Sequence, residues 1–238
     1  MQSIKIKKRY YDYISREHPI FYIETDFNVA SESNDYKYPY GSKNDNTKNK
    51  DFNNTFYKVA RILGFEKPYM ILDLGCAGGG MVLTFIHDKH YALGLEGSDY
   101  CEKNRKFEWG IIPNNLFTCD ITKPFSITQL SCHTDYDVKF DMITAWEVLE
   151  HIKENDLPQL FKNIYNNLKE TGFFICTVTH SLDEHNGIVY HQTIKPMNWW
   201  VDKFEKHGFN RKPAIERIFN GHWFRKEADS SLGVFVRK

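Results

Sequence analysis

The chain has 238 residues, room for one domain with an appendage and a well-buried core. Lys plus Arg equals Asp plus Glu at 31 each, so formal charge is zero and no electrostatic footprint for nucleic acid appears. No apolar run reaches the ~18 residues of a membrane span, and the N-terminus carries no apolar signal core.

Residues 1–50 carry no glycine-rich fingerprint and read as an N-terminal extension. Residues 5–14 pattern as a short helix with a tyrosine face. Residues 31–55 are rich in Asn, Asp, Ser, Lys and Tyr and read as a long polar loop serving as a lid or binding loop. Residues 51–238 then form the main domain. Phe56, Val59, Ala60 and Leu63 share one face of a helix that Gly64 ends. Strands are expected near 69–74, 91–96, 115–119, 140–145 and 172–178. Helices are expected near 79–88, 99–107, 155–168 and 197–207. Two further strand-like runs, 214–219 and 232–237, suggest an antiparallel hairpin at the C-terminus. The pattern is α/β, a mostly parallel Rossmann-like sheet with helices on both faces. The five cysteines, Cys76, Cys101, Cys119, Cys132 and Cys176, include no C-x-x-C pair. They read as reduced thiols of a cytoplasmic protein.

The stretch Asp73-Leu-Gly75-Cys-Ala-Gly78-Gly-Gly80 follows an apolar run and precedes another. That order is strand, glycine-rich turn, helix: the opening unit of a nucleotide-binding sheet. Glu96 follows at the spacing of a ribose-binding acid. A dinucleotide fits poorly. In the G-x-G-x-x-G frame the middle glycine is Ala77, and Asp73 would repel a pyrophosphate. S-adenosylmethionine, with a ribose, an adenine, no phosphate and a cationic sulfonium, fits better. A structural turn and a dehydrogenase stay open on this motif alone.

Residues 71–79, Ile-Leu-Asp-Leu-Gly-Cys-Ala-Gly-Gly, resemble the first motif of class I S-adenosylmethionine-dependent methyltransferases. Residues 93–99 are similar to that family's second-strand acid, 116–121 to its third-strand acidic segment, and 140–152 to the fourth-strand motif of its small-molecule group. Residues 168–176 resemble the group's approach to strand five, with Glu170-Thr171 in place of Pro-Gly. The resemblance spans about residues 55–236 and implies a seven-stranded fold with S-adenosylmethionine as cofactor. It implies cofactor contacts at Asp73, Gly75, Cys76, Ala77, Gly78, Glu96, Gly97, Ser98, Asp120, Ile121 and Trp146. Glu96 would accept from the ribose hydroxyls and Asp120 from the adenine amino group.

Methyl transfer from a sulfonium needs positioning, desolvation and, for some acceptors, proton removal. Candidates for a base are Glu147, Glu150, His151, His180, His185 and His191; His180 and His191 are preferred, because histidine titrates near neutral pH. The histidines lack tight metal-ligand spacing, so no metal site is expected. The loop of residues 31–55 and that of 181–196 are expected to meet over the cofactor, with Tyr40, His180 and His191 facing the acceptor; His185 and Trp199 are further candidates for acceptor contact. The signatures of nucleic-acid amino methylation and of pyrimidine C5 chemistry are absent. A small polar acceptor follows, such as a hydroxyl of a sugar, a nucleotide-linked metabolite or a surface-polysaccharide precursor, or a phosphorylated or phosphoramidate group. The alternatives are a nucleic-acid or protein methyltransferase, or a cofactor-binding protein without turnover.

Overall fold

The computed structural model describes residues 4–6, 19–39, 50–130, 135–219 and 229–238. Strands β1 (Ile4–Ile6) and β2 (Phe21–Thr25) come first, then helices α1 (Asn34–Lys37) and α2 (Lys50–Ile62). Alternation follows: β3 (Met70–Leu74), α3 (Gly80–His87), β4 (Tyr91–Glu96), α4 (Tyr100–Lys103) and β5 (Leu116–Thr118). A hairpin, β6 (Phe125–Leu130) and β7 (Asp135–Asp137), precedes β8 (Phe140–Trp146), α5 (Leu157–Asn167) and β9 (Leu168–Thr179). The chain closes with β10 (Glu184–His185), β11 (Ile188–Val189), α6 (Met197–Lys206), β12 (Phe209–Arg211), α7 (Pro213–Phe219) and β13 (Ser230–Arg237).

The main sheet has seven strands in the order β12-β13-β9-β8-β3-β4-β5. The pairs β3–β4, β4–β5, β3–β8 and β8–β9 are parallel. Only β13 runs against its neighbours, β9 and β12. Strand β8 is buried along its whole length, as a parallel strand covered on both faces must be. One face packs under α5 and α6 through Leu160, Phe161, Ile164, Trp200 and Phe204. The other packs under α2, α3 and α7 through Phe52, Phe56, Met81, Phe85 and Phe219. The chain steps outward from β3 to β5 and then returns to β8 beside β3. That reversal is the switch point where open α/β sheets bind ligands, beyond the strands' carboxyl ends.

Three local expectations are corrected. The sixth strand lies at Phe209–Arg211, and residues 214–219 are helical. Pro213 opens that helix, where its missing N–H costs nothing. Arg211 then clamps Glu216 through two hydrogen bonds of 2.8 and 3.0 Å, tying the helix to the strand before it. The helix expected over 99–107 stops at Lys103, because Arg105 and Phe107 take left-handed backbone angles; a 3-10 turn, Phe107–Gly110, follows. Ile4–Ile6 is a strand where a helix was expected from Lys5; residues 7–18 lie outside the described residues.

A second sheet, β1-β2-β6-β7, was not foreseen. Strand β2 pairs antiparallel with β6, and Phe21 and Ile23 pack with Ile127 and Val138 in the same core as β3 and β8. Part of the N-terminal extension is thus built into the body of the protein.

Candidate cofactor and active site

The turn after β3 is pinned to β4. The N–H groups of Gly75 and Cys76 both donate to the Leu95 carbonyl, at 2.8 and 3.1 Å. Gly75 has φ +68°, and a Cβ there would stand 2.5 Å from Cγ2 of Val148, so only glycine fits. Ala77 takes a left-handed conformation, φ 47°, despite its side chain. Its N–H donates to Oε2 of Glu96 at 2.8 Å, and its carbonyl accepts from the Trp109 indole at 2.8 Å. Those two bonds hold the strained residue in place.

Glu96 ends β4. Its second oxygen, Oε1, accepts from the Ser98 N–H at 3.1 Å. Burial raises its carboxyl above the ordinary range, against the pull of these N–H donors. Beyond β5, the Asp120 side chain accepts from the N–H and hydroxyl of Thr122, at 2.9 and 2.6 Å. Trp146 ends β8 with its indole N–H directed to Sδ of Met81 at 3.0 Å and its ring edge-on to Phe52.

The residues after β8 form the opposite wall. Glu147 has φ 54°, with its N–H donating to Oγ1 of Thr177 and its Oε2 accepting from Ser230. Glu150 is fully buried; its Oε1 accepts from the Thr179 N–H at 3.1 Å. Burial, and then the Glu147 charge, push its carboxyl up to about 8. Nδ1 of His151 lies 3.1 Å from Oδ2 of Asp35, and its ring meets His191 edge to face at 4.7 Å. Burial disfavours charge on His151, but the Asp35 hydrogen bond and charge outweigh it and raise its pKa.

The segment from Ala30 to Tyr38 roofs the site. The Ala30 N–H donates to the Gly97 carbonyl at 2.9 Å. Asn34 donates to the Val189 carbonyl at 2.8 Å, and the Tyr190 hydroxyl to the Tyr38 carbonyl at 3.0 Å. The N-terminal segment and the 181–196 loop therefore do touch. Below the roof lies a cavity of about 390 Å³ at the carboxyl edge of the sheet.

Of the residues singled out from sequence, Gly75, Ala77, Glu96, Gly97, Asp120, Ile121 and Trp146 line this cavity. Asp73, Cys76, Gly78 and Ser98 are not on its wall. Asp73 is buried behind it, with Oδ1 accepting from the Thr144 hydroxyl at 2.6 Å. Cys76 is fully buried, and burial pushes its thiol well up. His180, His185, His191 and Trp199 also lie off the wall. Both ring nitrogens of His180 are engaged, with the Lys195 carbonyl at 2.9 Å and Oγ of Ser231 at 2.7 Å. His185 is exposed on β10, and the Trp199 ring stacks under the ammonium of Lys203. His191 stands behind His151. Tyr40 lies outside the described residues. His151 and Asp35 are among the wall residues that the sequence did not favour: the Glu-His pair was legible, but no local pattern marks Asp35 or Ala30 as roof residues.

Residues 50–225 match the family model described as a methyltransferase domain, about three quarters of the chain. The chain belongs to this methyltransferase family. Its cofactor is S-adenosylmethionine, which supplies an electrophilic methyl group when bound. The cavity fits that molecule: a glycine turn open to close approach, a carboxylate at the end of the second parallel strand, and an aromatic floor. A solved S-adenosylmethionine-dependent methyltransferase from Clostridium acetobutylicum shares the fold at 13% identity. It aligns over 80% of this chain and 92% of its own, with a TM-score of 0.55. The glycopeptide N-methyltransferase MtfA, complexed with S-adenosyl-L-homocysteine, shares it at 11% identity, over 82% and 91% of the two chains, with a TM-score of 0.53. No curated protein matches the chain by sequence. No helix among the described residues is long and apolar enough to cross a membrane.

Proposed function

We propose that this methyltransferase acts on an oxygen of a small, polar acceptor, such as a hydroxyl of a sugar or of a nucleotide-linked metabolite. The observation that carries this is the make-up of the wall beyond the cofactor residues. Ser33, Asn34, Thr122 and Gln192 offer neutral hydrogen-bonding groups suited to hydroxyls. Lys37, Lys123 and Lys153 share that wall with Glu32, Asp35, Glu147 and Asp156, and Lys37 stands 3.7 Å from Glu32 and Lys123 3.6 Å from Asp156, so the wall carries both signs of charge and suits a polar acceptor without selecting an anion. The roof restricts the opening, which favours a compact acceptor over a folded chain or duplex. On this reading Glu96 would accept from the ribose hydroxyls, and Asp120 with Ile121 would meet the adenine.

A methyl-transfer screen with labelled S-adenosylmethionine against nucleotide-sugars, sugar phosphates and small amines tests the reading. Label on an acceptor oxygen supports it. Label recovered only on nitrogen, protein or nucleic acid overturns it.

A further inference from the structure

The turn after β8 and the loop before α6 bring three donors around one point. A carboxylate oxygen of Glu150 and one ring nitrogen each of His151 and His191 all lie within 4.8 Å of one another. Glu150 is fully buried, and the oxygen that Thr179 does not use, Oε2, has no hydrogen-bond partner among the described residues. A buried carboxylate oxygen left unpaired is costly, so its presence asks for an occupant that supplies positive charge.

The histidines are prepared for the same occupant. Nδ1 of His191 lies 2.7 Å from the Ser181 carbonyl, which can only accept, so Nδ1 carries the hydrogen. Nδ1 of His151 faces the Asp35 carboxylate in the same way. Each ring is left with an Nε2 lone pair. A carbonyl or carboxylate behind the ring is the outer support that orients metal-binding histidines. Asp183, with Oδ2 4.0 Å from Nε2 of His191, adds negative charge nearby.

We propose that Glu150, His151 and His191 bind a divalent transition-metal ion at the edge of the cofactor cavity, with open positions that take the acceptor's oxygen. Two imidazoles and one carboxylate suit zinc, manganese or iron(II) better than magnesium or calcium. Donors about 2.1 Å from such an ion stand about 3.4 Å apart in tetrahedral geometry, so side-chain rotations of roughly an ångström close the site. His151 also lines the cavity, so the open positions face the methyl acceptor. A hydroxyl bound there loses its proton to water more readily. Its oxygen then bonds to the methyl carbon as the carbon–sulfur bond breaks, leaving a neutral thioether. This role in the transfer rests on the oxygen-acceptor reading above; the metal site does not.

Calorimetric titration of the chelator-treated protein with Zn²⁺, Mn²⁺ and Co²⁺ tests the proposal, beside titration with S-adenosylhomocysteine. One equivalent of Zn²⁺ should bind, and Co²⁺ should give the visible absorption of a nitrogen- and oxygen-ligated site. His191→Ala should weaken Zn²⁺ binding more than the about 10–100-fold expected of Asp35→Asn, which removes only an outer support. S-adenosylhomocysteine affinity should change less than about threefold in His191→Ala, and His185→Ala should leave Zn²⁺ binding unaltered. Glu150→Gln should behave like His191→Ala, and His191→Ala carries the test if Glu150→Gln does not fold. The proposal is overturned if wild-type protein binds S-adenosylhomocysteine but none of the three metals. It is equally overturned if His191→Ala binds Zn²⁺ as tightly as wild type, which would mark a metal-free cluster of imidazole and carboxylate. Zinc binding with methyl label found only on nitrogen keeps the site and removes the oxygen acceptor.

Discussion

The Glu96 carboxylate accepts from the Ala77 N–H through Oε2 and from the Ser98 N–H through Oε1. It therefore shapes the glycine turn as well as facing the cavity, and a purely ligand-binding role is too narrow. Glu96→Ala strands two buried N–H groups, each costing about 1–3 kcal/mol. The apo protein should lose about 2–4 °C of Tm for each kcal/mol lost, and S-adenosylhomocysteine affinity should fall at least about tenfold. Differential scanning calorimetry and calorimetric titration check both. An unchanged apo Tm would mean that water replaces the carboxylate. Gly75→Ala should do similar damage by sterics, since its Cβ would press on Val148 at a positive φ.

Glu150 gives a pH dependence whose sign is fixed by its burial. Its carboxyl rises from about 4.5 to about 8 in the folded chain. The folded state thus holds this proton more tightly than the unfolded state does. The group's contribution to stability is full below about pH 4.5 and is lost as pH rises towards 8. In chelator-treated protein, Glu150→Gln should flatten the fall in stability across that window. Urea titrations at several pH values measure it; parallel curves for wild type and variant would sink the assignment.

At the scale of elements, α1 and the residues around it act as a roof held at few points. Ala30 is held to Gly97, Asn34 to Val189, Asp35 to His151 and Tyr38 to Tyr190. A four-residue helix with no buried side chain is stabilised by these ties and not by its own propensity. Such an element belongs to the low-stability end of a fold, where lids are found. Hydrogen exchange should show S-adenosylhomocysteine protecting residues 30–38 and 188–193 as well as the glycine turn. Asn34→Ala should reduce the first effect without altering global stability. Protection confined to residues 75–80 and 96–98 would show that the roof does not respond to the cofactor.

At the scale of the whole molecule, the N-terminal segment is structural. Phe21 and Ile23 are buried against Ile127 and Val138 in the core that also holds Leu72, Leu93 and Ile143. Ile23→Ala should cost about 2–5 kcal/mol, as a buried large-to-small change does. Removal of residues 1–26 should give protein that aggregates or fails to fold, measured by soluble yield and near-ultraviolet circular dichroism. A truncated chain with the parent's Tm would show that the second sheet is dispensable.

The legible part of the sequence was local. The strands β3, β4, β5, β8 and β9 announce themselves as short apolar runs, because a parallel strand buried on both faces has no other composition open to it. The turn from Asp73 to Gly80 and the acid Glu96 are legible because a tight strand-to-helix turn needs glycine, and the acid stands at the spacing expected of a ribose-binding carboxylate. Residues 214–219 misled because six residues of mixed apolar and charged character suit either period, and the Arg211–Glu216 clamp that decides them is a contact made on folding. Strand β2 was missed because its partner β6 lies about a hundred residues away. The acceptor wall was hidden for the same reason. His180 sits past β9 as the alternation suggests, yet Lys195 and Ser231 occupy both of its nitrogens. Asp35, His151 and His191 meet only when the chain's two ends of sequence separation close on one another. Sequence alone determined the family's motif, the succession of its parallel strands along the chain, and the glycine turn and acid that reach the cavity, since these depend on residue type at short spacing. Tertiary structure decided which side chains face the cavity, because that depends on partners brought together from distant segments.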